Sequence, residues 1–379
     1  MEKIKNIFIV CGEPSGDLLA GNLITAIKKL DPEIKVSGVG GSYLAKSGCE
    51  IFYNIKELSV MGMFDVLKKL PKFLKLKRII LSKINTDKPN AVILVDFSGF
   101  NLRLARAINK RIPCIYYVSP QIWASREGRI DCIKKFISKM IVLFKFEVDF
   151  YKQRQIEASW VGHPLLDLVE PASKKHDFMN NFRLSSSKKI IALLPGSRKQ
   201  EIKSILPLML KSAQRIQDKI HQVQFIIAKA PNLNTEIYQN ECKKFTLDLR
   251  IINGLTSDCL NMAEISMICS GTATLEAAIT GKPFVIVYKT NLFNYLLYRP
   301  QIKIPYIGMV NIVAGKEIIP EFIQFNAQPG KIAESVINLM QNNDFANQMK
   351  QNLEIVKSNL GQSGAAERAA NLILNFLQK

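Results

Sequence analysis

Three short stretches of the 379-residue chain carry residue types that could hold an anion and act on what is attached to it. In "CSGTATLEAAITGKPFVIVYK", Cys269 to Lys289, the break Ser270-Gly271-Thr272 follows an apolar run and Glu276 lies inside a helix-prone segment. The first amides of such a helix have no partners within it and sit at the positive end of its dipole, so a phosphate docked there is favoured. Gly271, Thr272 and Ala273 would supply the amides, and Glu276, about one turn further in, would reach the sugar attached to the phosphate. A nucleotide suits this spacing, with pyrophosphate at the helix mouth and ribose hydroxyls on the carboxylate. The alternative is a plain helix cap with a solvated Glu276. In "LLPGSRKQEI", Gly196 allows close backbone approach, and Ser197 and Gln200 have capping-box spacing. Arg198 follows the cap and could clamp a phosphate with its guanidinium fork. Asp96 ends the apolar run Ala91 to Val95, the carboxyl end of a strand, where open α/β sheets place their active sites.

The elements that must position these residues read as strand, glycine-bearing loop and helix, repeated along the chain. Ile7 to Cys11 is a strand, "GEPSGD" (Gly12 to Asp17) a loop, and Leu19, Leu23, Ala26, Ile27 and Leu30 one face of a helix. Ala91 to Val95 and Ile112 to Val118 are further strands. After "SWVGHPLLD" (Ser159 to Asp167) comes a polar, charged run that marks a domain boundary. The pattern then restarts with Ile190 to Leu194, Val223 to Ala228, Leu249 to Ile252, Ile265 to Cys269 and Phe284 to Tyr288. The helix Ala273 to Thr280 is closed by Gly281 and barred from extension by Pro283. The expectation is an α/β chain of two Rossmann-like domains facing across a cleft, residues 1–168 and 169–351, with a last helical stretch, Asn352 to Lys379, crossing back to the first domain.

Composition narrows the class. With 47% hydrophobic and 22% charged residues, the chain is an ordinary globular sequence long enough for two cores. Its seven cysteines include no C-x-x-C pair, which points to reduced thiols and a cytosolic protein. The first residues lack an apolar signal core, and no segment approaches the ~18 consecutive apolar residues of a membrane span. A chain neither exported nor integral is expected. There is no G-x-x-x-x-G-K-[ST] and no G-x-G-x-x-G, which disfavours NTP hydrolysis and hydride transfer. His163, His176 and His221 lie far apart and no D-x-D occurs, so neither a metal site nor a cofactor is expected. His163, between Gly162 and Pro164, reads as a hinge or packing residue.

The formal charge of +20 suggests an anionic partner. Nucleic acid is disfavoured, because zinc-finger spacing, an RNP-like aromatic cluster and an arginine-rich tail are all missing. The segment "SVMGMFDVLKKLPKFLKLKRIILSK", Ser59 to Lys83, sets Met61, Phe64, Leu67, Leu70, Phe73, Leu74 and Leu76 among six basic residues, Lys68, Lys69, Lys72, Lys75, Lys77 and Arg78, against one acid, Asp65. Large apolar side chains beside lysines are what an element needs to sit among anionic lipid headgroups. The alternative is a pair of amphipathic core helices, split at Pro71, with a basic outer face.

Six motifs in order, "CGEPSGD", "VSPQIWASR", "VGHP", "LLPGSR", "CSGTATLE" and "MVNIVAG", resemble those of the lipid-A-disaccharide synthase family over about Ile7 to Ala370. The resemblance implies the two-Rossmann GT-B fold and a metal-independent, inverting glycosyltransferase. Such an enzyme transfers diacylglucosamine from UDP to the 6-hydroxyl of lipid X, a diacylglucosamine 1-phosphate, at the cytoplasmic face of the inner membrane. By this resemblance Asp96 is the general base, Arg198 meets the diphosphate, Glu276 the ribose, and Asn311 is another donor-side contact. Ser15, Gly16, Asp17, Asn101 and Gln121 would line the acceptor side. Val310 stands where many members carry proline. The family includes monomers and swapped dimers, so a homodimer stays open. Two rivals share parts of this reading: a UDP-N-acetylglucosamine epimerase or soluble-acceptor transferase of the same architecture, and a non-enzymatic basic binding module.

Overall fold

The computed structural model describes residues 6–57, 70–171 and 173–378. Near-continuous apolar runs form its strands, as buried parallel strands require. The first sheet contains β1 (Asn6–Val10), β2 (Lys35–Gly40), β3 (Glu50–Asn54), β4 (Ala91–Val95), β5 (Cys114–Tyr117), β6 (Lys139–Val142) and β7 (Ala158–Trp160). The second contains β8 (Lys189–Leu194), β9 (Val223–Lys229), β10 (Leu249–Asn253), β11 (Ile265–Cys269), β12 (Phe284–Tyr288) and β13 (Glu321–Ile323). Their orders are β3-β2-β1-β4-β5-β6-β7 and β10-β9-β8-β11-β12-β13, and each recorded strand pair is parallel. Two Rossmann-like sheets of this kind are the GT-B type of organisation.

The chain divides into two compact units, Met1–Pro164 with Leu360–Lys379, and Leu165–Asn359. In the first, alternate residues Phe8, Val10, Val92 and Leu94 join Leu76, Ile80 and Ile84 of the helix Leu70–Asp87 in one core. The second core takes in β8 to β12 and one face of the helix Lys199–Lys219. Leu353 and Val356 belong to that second core. The expected single stretch from Asn352 is therefore two helices, Asn343–Asn359 and Ala365–Leu377. Gly361 and Gly364, with φ of 98° and 88°, turn the chain between them. The later helix packs on the helix Pro14–Leu30 of the first unit, and its buried face carries small residues, Ala365, Ala366, Ala369 and Ala370. Where the chain returns, the His163 amide donates to the Leu360 carbonyl at 2.8 Å.

Two further boundaries differ from the sequence reading. The first helix begins at Pro14, inside the stretch read as loop, because proline fits a first helical turn. Leu30 at its other end is exposed, and Ala20, Leu23, Ile24 and Ile27 form the buried face. β5 is shorter than Ile112 to Val118, since Pro113 has no amide to donate and Val118 takes a φ of 65°.

Candidate active site

A parallel sheet binds ligands beyond the carboxyl ends of its strands, at the point where strand order reverses. In the second unit that point lies between β8 and β11, which pair directly from Ile191 with Ile265 to Leu194 with Ile268. The loops that follow these strands are Gly196-Ser197-Arg198 and Ser270-Gly271-Thr272, so the topology brings the two expected anion-binding helix mouths side by side. Arg198 and Glu201 both reach the end of β11 electrostatically: burial foremost, then the Glu201 charge, pushes the Cys269 thiol up, while Arg198 pulls it down.

The two mouths differ. At the first, Glu201 rather than Gln200 completes the cap. Its Oε2 accepts the Ser197 and Arg198 amides at 2.9 and 3.1 Å, and its Oε1 accepts the Arg198 guanidinium at 2.9 Å. Glu201 stands three positions after Arg198, the N-cap, whereas Ser197 lies one position too early for Gln200 to serve. Gly196, with φ of 109°, is required here, because a β-carbon would stand 2.4 Å from Glu201 Oε2. An internal carboxylate thus occupies this mouth and holds Arg198 in place. At the second mouth Thr272 makes no side-chain cap, and the Ser270 hydroxyl turns away to donate to the Ile307 carbonyl at 3.0 Å. The amides of Thr272 and Ala273 find no acceptor among the described residues. Gly271 has φ of 156° and open space where a β-carbon would lie. The carboxylate of Glu276, half-buried behind this mouth, has no hydrogen-bond or ion-pair partner among the described residues, and burial raises it above the usual range. An open amide pair, a positioned guanidinium and an unpaired carboxylate can meet a diphosphate and a vicinal diol.

Asn311 departs from expectation. Its side chain is fully buried, with Nδ2 donating to the Ile319 carbonyl and Glu321 at 2.8 and 2.9 Å and Oδ1 accepting the Ile318 and Ile319 amides. Its side-chain amide is spent on the Ile318–Ile319 backbone and on the Glu321 carboxylate, so it braces the fold here from within. Glu321, unnoticed in the sequence, supports the same segment by accepting the Ile307 and Gly308 amides, both at 2.9 Å.

In the first unit the strand order reverses between β1 and β4. Gly12 to Gly16 follows β1 and Asp96 follows β4. A β-carbon on Gly16 would lie 3.8 Å from that of Asp96, so these two are neighbours. Asp96 and Phe97 take φ of 47° and 45°, a left-handed pair that costs about 1–3 kcal/mol per residue and needs external support. Support comes from Asn101 Nδ2 and the Tyr116 hydroxyl, which donate to the Asp96 carbonyl at 2.9 and 2.5 Å. The Phe97 ring covers Gly12, where a β-carbon would fall 2.3 Å from the ring, and stacks on Phe100 at 5.2 Å. Half-buried Arg129, missed in the sequence, donates to Ser98 Oγ at 3.0 Å and sets a cation beside this loop.

Two more acceptor-side expectations are corrected. Asp17 is 2% exposed and its carboxylate accepts the Gly41, Tyr43 and Leu44 amides at 2.6, 3.0 and 3.3 Å. It caps the helix Ser42–Lys46 and is a scaffold residue. Asn101 is wholly buried and acts through the Asp96 backbone rather than on a ligand. Ser15 is half-buried, and Gln121 is exposed in the turn after β5, at the same end of the sheet. That turn is pinned from below by buried Glu147, which accepts from Ser119 Oγ at 2.6 Å and Trp123 Nε1 at 3.1 Å. His163, read as a hinge or packing residue, is 4% exposed beside Phe144, and burial lowers its pKa to about 3.

Of the expected lipid-contact residues, Met61, Phe64 and Leu67 lie outside the described residues, as does the side chain of Leu70. Leu76 is 2% exposed, one turn before Ile80 and two before Ile84 in the first core. Phe73 is half-buried against Phe97 and Phe100. For these two positions the core-helix alternative holds, because the 3.6-residue period turns them inward. Leu74 alone of the three is exposed.

Residues 7–375 match the family model described as lipid-A-disaccharide synthetase. The lipid-A-disaccharide synthase of Syntrophus aciditrophicus is 38% identical over 377 residues, covering 99% of this chain and 98% of its own. Among solved structures, the glycotransferase of kitacinnamycin aligns with a TM-score of 0.67 at 14% identity, covering 99% of this chain and all of its own. The UDP-GlcNAc 2-epimerase of Neisseria meningitidis, solved with UDP-GlcNAc, aligns at 0.63 and 14%, covering 98% and 99%. At such identities the structural likeness concerns the fold alone.

Proposed function

Because this chain belongs to the lipid-A-disaccharide synthase family, we propose that it condenses UDP-2,3-diacylglucosamine with 2,3-diacylglucosamine 1-phosphate by an inverting displacement. Chemically, the 6-hydroxyl oxygen of the acceptor attacks the anomeric carbon from the face opposite UDP. The bond from that carbon to the diphosphate oxygen breaks, and both its electrons leave with UDP. Asp96 takes the hydroxyl proton. The charge gathering on the diphosphate meets the Thr272 and Ala273 amides and the Arg198 guanidinium, while Glu276 holds the ribose diol.

The observation that carries the reading is the pairing of β8 with β11, which sets Arg198 beside an open helix mouth with an unpaired carboxylate behind it. With its own mouth filled by Glu201, Arg198 acts at the neighbouring one. Both substrates carry acyl chains, so the enzyme works as a peripheral protein at the cytoplasmic face of the inner membrane. No helix among the described residues is long and apolar enough to cross a membrane. Incubation with UDP-diacylglucosamine and the diacylglucosamine 1-phosphate in mixed micelles should yield a disaccharide 1-phosphate and UDP by mass. Recovery of a 2-epimer of the sugar nucleotide, with no disaccharide, would favour the epimerase reading instead.

A further inference from the structure

Five of the large apolar side chains exposed among the described residues fall in two segments of the second unit. In the helix Leu292–Tyr298, which follows β12, Leu292, Phe293, Leu296 and Leu297 are 49% to 63% exposed. Phe325, in the turn after β13, is 68% exposed. Half-buried Tyr295 stands edge-on to Phe325, with ring centroids 5.9 Å apart, and joins the two segments into one patch. A polar clamp holds them together. Buried Gln324 accepts the Thr290 amide at 3.2 Å and donates to the Thr290 carbonyl at 3.1 Å. An ordered, clamped patch of this kind marks an interaction surface rather than a stray exposed residue.

Its surroundings select the partner. In sequence the helix is flanked by Lys289, Arg299 and Lys303, and positions 283–315 hold no acidic residue. An isologous contact with a second copy would face these cations with themselves. An anionic bilayer complements both the charge and the apolar side chains. The helix also leaves the carboxyl end of β12, next to β11 and its open mouth at Thr272.

We propose that the helix Leu292–Tyr298 and Phe325 dock on an anionic lipid surface, so that the second unit holds its donor site at the interface where acylated substrate resides. The inference rests on the proposed function for what the site binds, but its test does not need turnover. Full-length protein is sedimented with phosphatidylethanolamine vesicles, with or without phosphatidylglycerol. Combined substitution Leu292→Ser, Phe293→Ser, Leu296→Ser and Leu297→Ser should lower partitioning about tenfold while the thermal shift given by UDP persists. Arg299→Glu with Lys303→Glu should lower it selectively on vesicles containing phosphatidylglycerol. In Phe293→Trp, vesicles should shift the emission of the introduced indole to the blue, and brominated lipids should quench it. Partitioning unchanged in both the serine and the charge-reversal variants, or an indole emission in Phe293→Trp that is blind to lipid, overturns the proposal. A fall in solution mass of the serine variant with partitioning unchanged overturns it in favour of a second copy. Loss of the UDP shift in the unsubstituted protein would instead sink the functional reading and leave the lipid result standing.

Discussion

Asp96 and Phe97 hold a left-handed backbone that neither side chain favours, and buried Asn101 and Tyr116 fix it from beneath. If Asp96 takes the acceptor proton, Asp96→Ala should reduce turnover by about 10²–10⁴-fold with UDP binding intact; calorimetric titration with UDP alongside the micelle assay separates the two. Asn311→Ala makes the opposite split, because its amide serves the fold: unfolding in urea should come earlier by about 2–3 kcal/mol. His163 gives a pH signature. Its folded pKa, about 3, lies below the ordinary value of 6.5, so the unfolded chain binds the extra proton between them. The associated stability is fully present above pH 6.5 and lost as pH falls, on the order of 3 kcal/mol between pH 7 and 4. Denaturation at several pH values should show this slope, and His163→Gln should flatten it. Residue types and spacing singled out Asp96, Arg198 and Glu276. They do not separate ligand-facing residues from scaffold: Asp17, Asn101 and Asn311, also singled out, have buried side chains bonded within the fold. A polar side chain near a strand end reads the same whether it meets a ligand or a backbone amide from a distant loop. Glu321 acts on residues 13 and 14 positions earlier, a spacing that no local motif encodes.

Elements were read more securely than their ends. The helix Ala273–Thr280 and its glycine stop stand where Gly281 and Pro283 put them, since capping is a local matter. The helix Lys199–Lys219 starts one residue later than expected, because two residues, Ser197 and Arg198, compete for the same cap and Glu201 decides. Helix Leu70–Asp87 teaches a similar lesson: its composition is that of an interfacial element, yet its period packs Leu76, Ile80 and Ile84 into the core. Leu76→Ser should therefore cost about 2–4 kcal/mol of stability. Leu74→Ser should leave the urea midpoint nearly unchanged. Equal effects at the two positions would mean that the helix is not seated as described. The exposed patch escaped notice because Leu292 to Tyr298 has the composition of an ordinary core helix, and only its accessibility distinguishes it.

At the level of the whole chain, two parallel sheets were legible from repeated strand, glycine loop and helix, while their strand orders were not: order depends on which strands pair across long separations. The order is what matters for chemistry, since each reversal point gathers two loops that are over 70 residues apart in sequence. Fold alone does not choose the reaction, for epimerases and glycosyltransferases align with this chain about equally well. The choice rests on family membership and on what the Thr272 mouth holds. Thermal unfolding with and without UDP, compared among the unsubstituted protein, Arg198→Ala, Glu276→Gln and Asp96→Ala, addresses that most directly. A UDP-induced rise in melting temperature that is kept in Asp96→Ala and lost in both Arg198→Ala and Glu276→Gln is the predicted result. A rise that survives Arg198→Ala and Glu276→Gln unchanged would contradict it, because the nucleotide would then be held elsewhere.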